Sequence, residues 1–503
     1  MAERVVLVID GGTTALRCVL FDEAGRVAGS VGAPWPYRAD SVRPDGPQEL
    51  DLDRAWDLLP GLVARCAAEA GTSARDISAV AVTGQRQALV FLDSDGRCLY
   101  AGTNADTRAV FEGGAIDEEF GQRVLNTTGH APSMLLAPAK MRFLRNQRPD
   151  AYAKIATVFA LADWLAWKLT GAAANEMTLA GEAGLLDIAD RGWCAGLLED
   201  LDVLFAASGT LVEPGTVVGE VHNGASGAKG IPAGAPVVAA GADTQCGLVG
   251  MGVVDPGQVG VVAGWSAPVQ MVTSEPELPA SPVAWAGLST LRDRWVLECS
   301  AGDAGNSYRW LADTAFGGGD EAYAEMERLA GAVSAGSDGT VALLGPGRMD
   351  MNAVGLTRGG FLFPVPVAFG GAGRGQLARS ALECIAYAVR ANLEQVQEIS
   401  REGSPAADVT LGGGMVRTTS FPEIQASVLG RPLLVSQAPN VTASGAFMCA
   451  TAAMDHGIDV EDLSRAARAS LVAVEPDPVL ASEYDGFYES WLEAADHVAE
   501  LAF

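Results

Sequence analysis

An acid followed by glycines and hydroxyls stands near the N-terminus, in the segment Asp10-Gly11-Gly12-Thr13-Thr14. Glycine lets backbone N–H groups approach anionic oxygens closely, and the two threonine hydroxyls supply further donors. A carboxylate at the end of a strand, such as Asp10, can also hold Mg²⁺ through water. The segment therefore favours phosphate binding, and an ordinary glycine-containing hairpin turn is the alternative interpretation. No GxxxxGK[ST] and no GxGxxG occurs, which excludes the P-loop and Rossmann modes of nucleotide binding.

A second acid, Asp243, follows an apolar strand and precedes the residues of a predicted helix start, Thr244 and Gln245. A carboxylate at this position is either an N-cap or a general base that faces a cleft. The spacing alone leaves both interpretations open.

Three long polar side chains, Gln85, Arg86 and Gln87, come directly after a predicted strand over residues 77–83. Ligands of α/β proteins bind at the carboxyl ends of strands, so this position suits recognition of substrate hydroxyls. The alternative is a solvated turn.

Two further segments have a functional and a structural interpretation. Gly412-Gly413-Gly414 follows a predicted strand over residues 408–411 and offers a flat floor for an adenine or ribose ring, or else a tight turn. Asn104-x-Asp106-x-Arg108 binds substrate, or else ties two segments together by a salt bridge.

The elements that must position these residues are buried strands and amphipathic helices. Residues 5–9 and 236–240 are continuous apolar runs, typical of strands buried on both faces. Each precedes an acid, and strand–turn–strand patterns with Gly/Ser/Thr tips recur about 250 residues apart, which suggests a duplicated fold. Helical spacing predicts helices over 151–169, ending at Thr170-Gly171, and over 376–399.

Composition limits the possible partners and settings. The length of 503 residues predicts two to four domains, and a net charge of −28 disfavours nucleic acid and anionic membranes as partners. The eight cysteines are scattered, without a CxxC pair, which predicts a reducing, cytoplasmic setting without a disulfide framework. The four histidines lack zinc-ligand spacing, and neither a secretory signal nor an apolar run of membrane-spanning length is recognised.

Taken in order, these motifs resemble those of the FGGY carbohydrate kinases of the actin-like ATPase superfamily, from about residue 4 to about residue 455. The resemblance is carried by the following segments: Asp10-Gly11-Gly12-Thr13-Thr14-x-x-Arg17, Thr83-Gly84-Gln85-Arg86, Asn104-x-Asp106-x-Arg108, Thr128-Gly129 with Lys140, Leu161-x-Asp163-Trp164-Leu165-x-x-x-Leu169-Thr170-Gly171, Gly241-x-Asp243, Ala378-Arg379-Ser380-x-Leu382-Glu383-x-Ile385-Ala386 and Gly412-Gly413-Gly414. The resemblance implies an α/β fold with two RNase-H-like lobes that flank a nucleotide cleft. It places the N-terminal lobe at 1–250 and the C-terminal lobe at 251–503.

The resemblance also implies roles for single residues. Asp243 would be the base that accepts the substrate hydroxyl proton, and Asp10 and Asp243 would hold Mg²⁺ beside ATP. The expected ATP ligands are Gly12, Thr13, Thr14 and Arg17 in the first lobe, with Gly264, Ser266, Gly413 and Gly414 in the second. Gln85, Arg86, Asp106 and Asp243 would face a small sugar or polyol, and a homodimer is an open alternative to a monomer.

Departures from the family pattern affect the expected substrate. The second phosphate loop reads Gly264-Trp265-Ser266 where the family usually has Gly-Thr-Ser. Segments around 136–140 and 170–171 are similar to xylulose kinases, whereas Asn104 resembles kinases of the autoinducer-2 type. A xylulose-like pentulose is the favoured substrate, and the substrate of an autoinducer-2-type kinase or of another polyol kinase is the alternative. Two rival functions are a regulator on the same fold with little turnover and an actin-like or heat-shock-type ATPase; Gln85 and Arg86 disfavour the ATPase.

Overall fold

Apolar runs near the N-terminus form the centre of a six-stranded sheet in the computed structural model, which describes residues 4–38, 49–203, 209–225, 230–353, 358–365, 373–404 and 407–501. The strands lie in the order Thr216–Glu220, Pro236–Ala242, Ile77–Gly84, Val5–Gly11, Ala15–Phe21, Val27–Pro34. The three central strands Val5–Gly11, Ile77–Gly84 and Pro236–Ala242 run parallel to one another. Their residues are buried on both faces, as the continuous apolar runs predict.

The chain divides into two compact units, each assembled from separated segments. The first unit contains Met1–Val254, Ser274–Val296 and Val441–Ala467. The second contains Asp255–Thr273, Leu297–Asn440 and Arg468–Phe503. The first unit is therefore completed by a segment that follows most of the second unit in the sequence.

Helices cover both faces of the first sheet. Leu52–Glu69 and Leu161–Thr170 pack on the face that carries Leu7 and Ile9. Asp243–Gly250 and Val441–Met454 pack on the opposite face, which carries Val8. The other helices of this unit are Val110–Thr128, Ala137–Gln147, Pro149–Tyr152, Met177–Glu182, Ala195–Asp200 and Val460–Arg468, the last of which ends one residue past the unit. Its remaining strands are Leu89–Leu92, Cys98–Gly102, Thr157–Ala160, Ala174–Glu176, Leu186–Asp187, Gly192–Trp193, Thr210–Val212 and Trp285–Leu288.

The second unit repeats the strand order of the first. Its strands run Trp295–Ser300, Pro268–Thr273, Val259–Val262, Val409–Gly412, Leu433–Val435, Val472–Val474. In both sheets the central strand pairs antiparallel with the strand that follows it in the chain and parallel with a distant one. The predicted duplication of the fold is thus confirmed by the topology. This unit also has a hairpin, Val341–Leu343 with Gly360–Leu362, and helices Ala304–Ala315, Gly319–Ala330, Arg374–Ile399, Ser420–Leu429 and Pro478–Ala499.

One predicted helix is wrong. Residues 151–169 do not form a single helix, because Thr157–Ala160 is a strand that pairs with Leu89–Leu92. The helix Leu161–Thr170 begins directly after it and ends at Gly171, in the left-handed conformation that the C-cap signal predicts. The β-branched and aromatic residues Val158 and Phe159 pair within a sheet that the local apolar spacing does not reveal.

No helix among the described ranges is both long enough and apolar enough to cross a membrane. All eight cysteines are free thiols, in agreement with the predicted absence of a disulfide framework.

Candidate active site

The carboxyl ends of the three parallel strands bring the predicted acids together. Gly11 pairs with Gly84, and Gly84 pairs with Ala242, so these strands end at one edge of the sheet. Asp10 and Asp243 consequently lie on the two sides of the strand that ends at Gly84. Adjacent parallel strand ends are the usual position of ligand sites in α/β sheets.

Asp10 is buried, and its two carboxylate oxygens differ in their surroundings. Its Oδ2 lies 3.6 Å from the Arg17 guanidinium, whereas Oδ1 has no hydrogen-bond partner among the described residues. Burial raises the pKa of Asp10, and Arg17 opposes the rise. A buried carboxylate oxygen without a donor is costly to maintain unless a ligand or a cation meets it.

The loop after Asp10 is fixed by side chains from other elements. The Gly12 carbonyl accepts the Trp35 indole N–H at 2.7 Å and the Gln85 amide at 3.3 Å. A Cβ at Gly12 would lie 3.3 Å from Arg17 Nη1 and 3.4 Å from Asp10 Oδ1. Glycine at this position therefore keeps open the space around the two charged groups.

Gln85 is fully buried and connects the glycine loop with Asn104. Its side-chain amide oxygen, Oε1, accepts a hydrogen bond from the Asn104 backbone N–H at 3.4 Å, and the Asn104 side chain donates to Thr13 Oγ1 at 3.3 Å. Gln85 thus holds the loops that surround the site in place.

Asp243 is the first residue of the helix Asp243–Gly250, and the backbone before it is clamped from two sides. The Thr83 hydroxyl donates to the Gly241 carbonyl at 2.7 Å, and the Ala242 N–H donates to Thr178 Oγ1 at 2.8 Å. The Asp243 carboxylate accepts only the neighbouring Thr244 N–H, at 2.9 Å, among the hydrogen bonds described, and the residue is partly exposed. Its carboxylate therefore remains accessible to a ligand.

The pKa of Asp243 is raised to about 7. Burial is the largest cause, Arg86 opposes it, and the negative charges of Asp10 and Glu182 add to the rise. A carboxylate with a pKa near neutrality is a better proton acceptor than an ordinary aspartate.

The helix that carries Asp243 lies unusually close to the helix Val441–Met454. A Cβ on Gly445 would overlap the Cys246 carbonyl, and one on Gly250 would overlap the Val441 carbonyl. The Thr442 hydroxyl donates to the Asp243 carbonyl at 3.0 Å. The glycines thereby permit a backbone-to-backbone contact that holds the acid.

Arg86 is paired with a carboxylate that sequence reasoning did not identify. Its Nη1 lies 3.4 and 3.5 Å from the two carboxylate oxygens of Glu182. Glu182 also accepts from Gln245 Nε2 at 2.7 Å and from His130 Nε2 at 3.1 Å. Burial opposes ionisation, but Arg86 and His130 lower the pKa of Glu182 to about 2. No motif marks Glu182, whereas His130 directly follows the Thr128-Gly129 motif.

An indole ring lies beside this ionic cluster. The Arg86 guanidinium is 5.7 Å from the ring centre of Trp285, and the His130 imidazole is 5.6 Å from it. The Trp285 N–H donates to the Ala131 carbonyl, which fixes the ring. The Arg86 side chain therefore has a charged partner on one side and an aromatic partner on another.

Asp106 is saturated by protein donors. Its oxygens accept the Tyr100 hydroxyl at 2.7 Å and the Arg108 guanidinium at 2.6–3.1 Å, and Arg108 continues to Glu49 at 2.7 Å. Burial opposes ionisation, but the Arg108 hydrogen bonds lower the pKa of Asp106. Of the two interpretations of this segment, the structure displays the salt bridge that ties segments together.

Gln87 adopts a strained conformation, with a φ of 59°, and its amide nitrogen is buried without a partner among the described residues. The buried Lys140 holds the backbone of Gln87 by donating to the Gln87 carbonyl at 2.7 Å, and it also donates to the Thr103 carbonyl at 3.3 Å. Burial lowers the pKa of Lys140 to about 8. A strained residue with an unsatisfied donor is typical of a ligand site.

In the second unit, the two predicted nucleotide segments lie side by side. The Ala263 N–H donates to the Gly412 carbonyl at 2.8 Å, and the Met415 N–H donates to the Ala263 carbonyl at 3.0 Å. Gly413 has a φ of 100°, and a Cβ there would lie 2.6 Å from the Ala263 carbonyl oxygen. Only glycine permits this approach, which joins the loop 412–414 to the loop 264–266.

The loop 264–266 is a closed turn. The Gly264 N–H donates to the carbonyls of Val262 and Ser266, at 2.9 Å each. Any phosphate contact from its backbone therefore depends on Trp265 and Ser266. The Trp265 residue is 37% exposed.

Comparison with known proteins identifies the family. The N-terminal domain of the FGGY family of carbohydrate kinases matches residues 5–250, and the C-terminal domain of the same family matches residues 259–454. The chain belongs to the FGGY family. It is accordingly an enzyme, a phosphotransferase of the carbohydrate kinase type.

Relatives and solved structures agree with this assignment. The FGGY chain is 29% identical to an autoinducer-2 kinase of Enterobacter sp. (strain 638), over 97% of this chain and 93% of the relative. A solved xylulose kinase from Rhodospirillum rubrum superposes with a TM-score of 0.82 at 24% identity, covering 98% of this chain and 99% of the other. Plasmodium falciparum glycerol kinase, solved with ADP, gives 0.83 at 17% identity, covering 100% and 99%. These neighbours show the two-lobed actin-like ATPase fold that the sequence predicts.

The acids of this FGGY kinase suit a magnesium ion. Asp10 Oδ1 is a buried oxygen without a hydrogen-bond partner among the described residues. The negative charge of Asp10 contributes to the raised pKa of Asp243, so a cation between the two carboxylates would relieve their repulsion. Within the described ranges no group of three or more His, Cys, Asp or Glu side chains forms a metal site by itself. Two carboxylates together with nucleotide oxygens are the usual ligand set of Mg²⁺ in phosphoryl-transfer sites.

Proposed function

We propose that this chain transfers the γ-phosphoryl group of ATP to a hydroxyl of a small, uncharged polyhydroxylated sugar or polyol, with Asp243 as the general base. The observation that carries the proposal is the position of Asp243, a partly exposed acid with a pKa of about 7 at the strand edge that also holds Asp10.

In the proposed reaction, Asp243 takes up the proton that the substrate hydroxyl loses. The Asp243 carboxylate accepts the proton of the substrate hydroxyl, the alkoxide oxygen forms a bond to the γ-phosphorus, and the bond between that phosphorus and the leaving ADP oxygen breaks. Asp10 and Asp243 would hold Mg²⁺, which supplies positive charge next to the phosphate oxygens when bound. Phosphoryl transfer requires mainly positioning and charge stabilisation. The hydrogen bonds to the backbone of Gly241 and Ala242 would therefore assist the reaction by fixing the position of Asp243.

The two lobes would divide the nucleotide between them. In the first lobe, 1–250, the phosphates would meet Gly12, Thr13, Thr14 and Arg17. In the second lobe, 251–503, they would meet the loop of Gly264 and Ser266 through the Ser266 backbone, because the Gly264 N–H bonds within its own turn. Gly413 and Gly414 would face the adenosine. The hydrogen bonds of Ala263, which precedes the loop 264–266, with Gly412 and Met415 support this assignment, because they bring the two segments close together.

Unpaired neutral polar atoms favour an uncharged polyhydroxylated acceptor. The amide nitrogen of Gln87, the amide oxygen of Asn104 and the hydroxyl of Thr290 are buried without partners in the described part of the chain. A hydroxyl group both donates and accepts, so it can satisfy atoms of either kind. Arg86 would contact the substrate directly, whereas Gln85 and Asp106 would act by holding the surrounding loops.

The names of the relatives and structural neighbours suggest two acceptor substrates to test first. Several of the curated relatives carry the name autoinducer-2 kinase, and several of the structural neighbours are xylulose kinases. We propose a xylulose-like pentulose as the acceptor, with the acceptor of autoinducer-2-type kinases or another polyol as the alternative.

The test is a coupled assay of ADP release across a panel of acceptors: the autoinducer-2 precursor, xylulose, ribulose, glycerol and gluconate. We expect turnover with at least one five-carbon acceptor and little with glycerol or gluconate. ATP binding without turnover on any acceptor would contradict the proposal and favour the regulator. Turnover on gluconate alone would agree with the proposed kinase activity but contradict the proposal that the acceptor is uncharged.

A further inference from the structure

Glu182 is the centre of a cluster that reaches three side chains of the candidate site. Its carboxylate accepts from Arg86, Gln245 and His130 at distances between 2.7 and 3.5 Å. A Cβ on Gly287 would lie 3.1 Å from Glu182 Oε1, so a larger residue there would press on the carboxylate. The chain thus keeps space for a charged group that has a relative exposure of only 2%.

Both ring nitrogens of His130 face oxygen atoms. Nδ1 lies 2.7 Å from the Thr128 carbonyl oxygen, and Nε2 lies 3.1 Å from Glu182 Oε2. A carbonyl and an ionised carboxylate only accept hydrogen bonds. An imidazolium, which donates from both nitrogens, satisfies both contacts, and His130 has a relative exposure of 1%. The direction of its pKa agrees, since Glu182 raises it against the effect of burial and of Arg86.

The charges explain why the imidazolium is needed. The Glu182 carboxylate faces two cationic groups: His130 lies 3.1 Å from Oε2, which Arg86 also approaches at 3.4 Å, while Gln245 donates to Oε1 at 2.7 Å. The rotamer of Glu182 is thereby set by His130 and Gln245, and the guanidinium of Arg86 follows it. Trp285 completes the enclosure of His130 and Arg86.

We propose that Glu182 and His130 form a positioning pair that fixes Arg86 toward the acceptor substrate, so that the pair sets the affinity for the sugar while leaving ATP binding unchanged. The proposal rests on the proposed function insofar as Arg86 is a substrate contact. Neither residue touches the reacting atoms, and neither is part of the phosphate loops.

The kinetic test compares Glu182→Gln, His130→Gln and the double variant with His497→Gln. His497 is exposed on the helix Pro478–Ala499 and bonds only to the Glu493 carbonyl among the hydrogen bonds described, so it receives the same chemical change outside the site. We expect KM for the sugar to rise about tenfold or more in each single variant, with KM for ATP within about twofold of wild type. The double variant should raise KM for the sugar little more than one single variant does, because the two residues act as a unit.

A second measurement does not depend on turnover or on variant folding. In the wild-type protein labelled with ¹⁵N-histidine, one of the four histidines should show two protonated ring nitrogens at a pH where free imidazole is neutral. That signal should be absent in His130→Gln and should become neutral in Glu182→Gln. A neutral His130 in wild type, or equal changes in KM for sugar and ATP, would overturn the positioning pair. Failure of the acceptor panel would instead reject the kinase proposal and leave the imidazolium result intact.

Discussion

The Thr83 hydroxyl donates a hydrogen bond of 2.7 Å to the carbonyl of Gly241, two residues before the proposed catalytic base. Gly241 has a φ of 120°, a conformation that glycine adopts without penalty. The central strand therefore fixes the direction in which the chain enters the helix of Asp243.

Replacement of Thr83 by Val should remove this bond while keeping the size and branching of the side chain. We expect kcat to fall about three- to thirtyfold through misplacement of the base, and the free energy of unfolding to fall by about 1–2 kcal/mol. Ser78→Ala is the matched control, since it removes a 3.1 Å bond to the Val5 carbonyl at the far end of the same strand. Equal kcat losses in both variants would show that the effect is general destabilisation.

Asp243→Asn should retain the fold and lose the proton acceptor. We expect kcat to fall by about two to four decades, with nucleotide affinity nearly unchanged. Single-turnover kinetics and calorimetric titration of ADP measure the two quantities. Asp462→Asn, at a side chain that is 80% exposed, serves as the control. More than about a tenth of wild-type turnover in Asp243→Asn would remove this residue from the role of base.

The pH profile should report the raised pKa of the base. Since Asp243 must be ionised to accept a proton, kcat/KM should be at its plateau above pH 7 and fall as pH decreases through the pKa of about 7. Well below that value the decline should approach tenfold per pH unit. Initial rates between about pH 5.5 and about pH 8.5, with coupling enzymes in excess, measure the profile. A flat rate down to about pH 5.5 would be inconsistent with an acid of this pKa as the base.

Gly413→Ala and Gly414→Ala form a matched pair. Alanine at 413 meets both a φ of 100° and the Ala263 carbonyl oxygen at 2.6 Å, whereas alanine at 414 meets no atom within 4 Å. Strain of about 1–3 kcal/mol at 413 should weaken ATP binding about tenfold or more. The 414 variant should change KM for ATP by less, and similar effects in both would argue against the approach of the two loops as the cause.

Trp265→Thr restores the hydroxyl that the family usually carries. Because the indole is 37% exposed and the Gly264 N–H bonds within its own turn, we expect KM for ATP to change only a few-fold. A gain in kcat/KM of about a hundredfold, about 2.7 kcal/mol, would show that the indole obstructs the phosphate loop.

The ends of the strands that carry the acids were predictable from the sequence, because continuous apolar, β-branched runs are typical of strands buried on both faces. The same reasoning located Asp10 and Asp243 and the duplicated pattern. It failed at residues 151–169, where pairing with a strand some 70 residues earlier decides the structure.

The ionic cluster could not be found in the same way. Glu182 and His130 are 52 positions apart, and their contact depends on the packing of elements that share no local pattern. The burial of Gln85 likewise follows from its bonds to Gly12 and Asn104, which tertiary structure alone creates.

The helix Val441–Met454 has a consequence for biosynthesis. It covers the sheet face that contains Val8, Ala81 and Val238, with Ala443, Ala446 and Ala450 in that cluster. While a ribosome translates residues 297–440 of the second unit, the strands of this face have been made but the helix Val441–Met454 has not, so the nascent chain exposes part of an apolar sheet face during that time. Expression of residues 1–250 alone would leave exposed the part of this face that Val441–Met454 covers, and such fragments should aggregate or bind chaperones. The unit that carries Asp243 is therefore complete only after residues 441–467 have been translated.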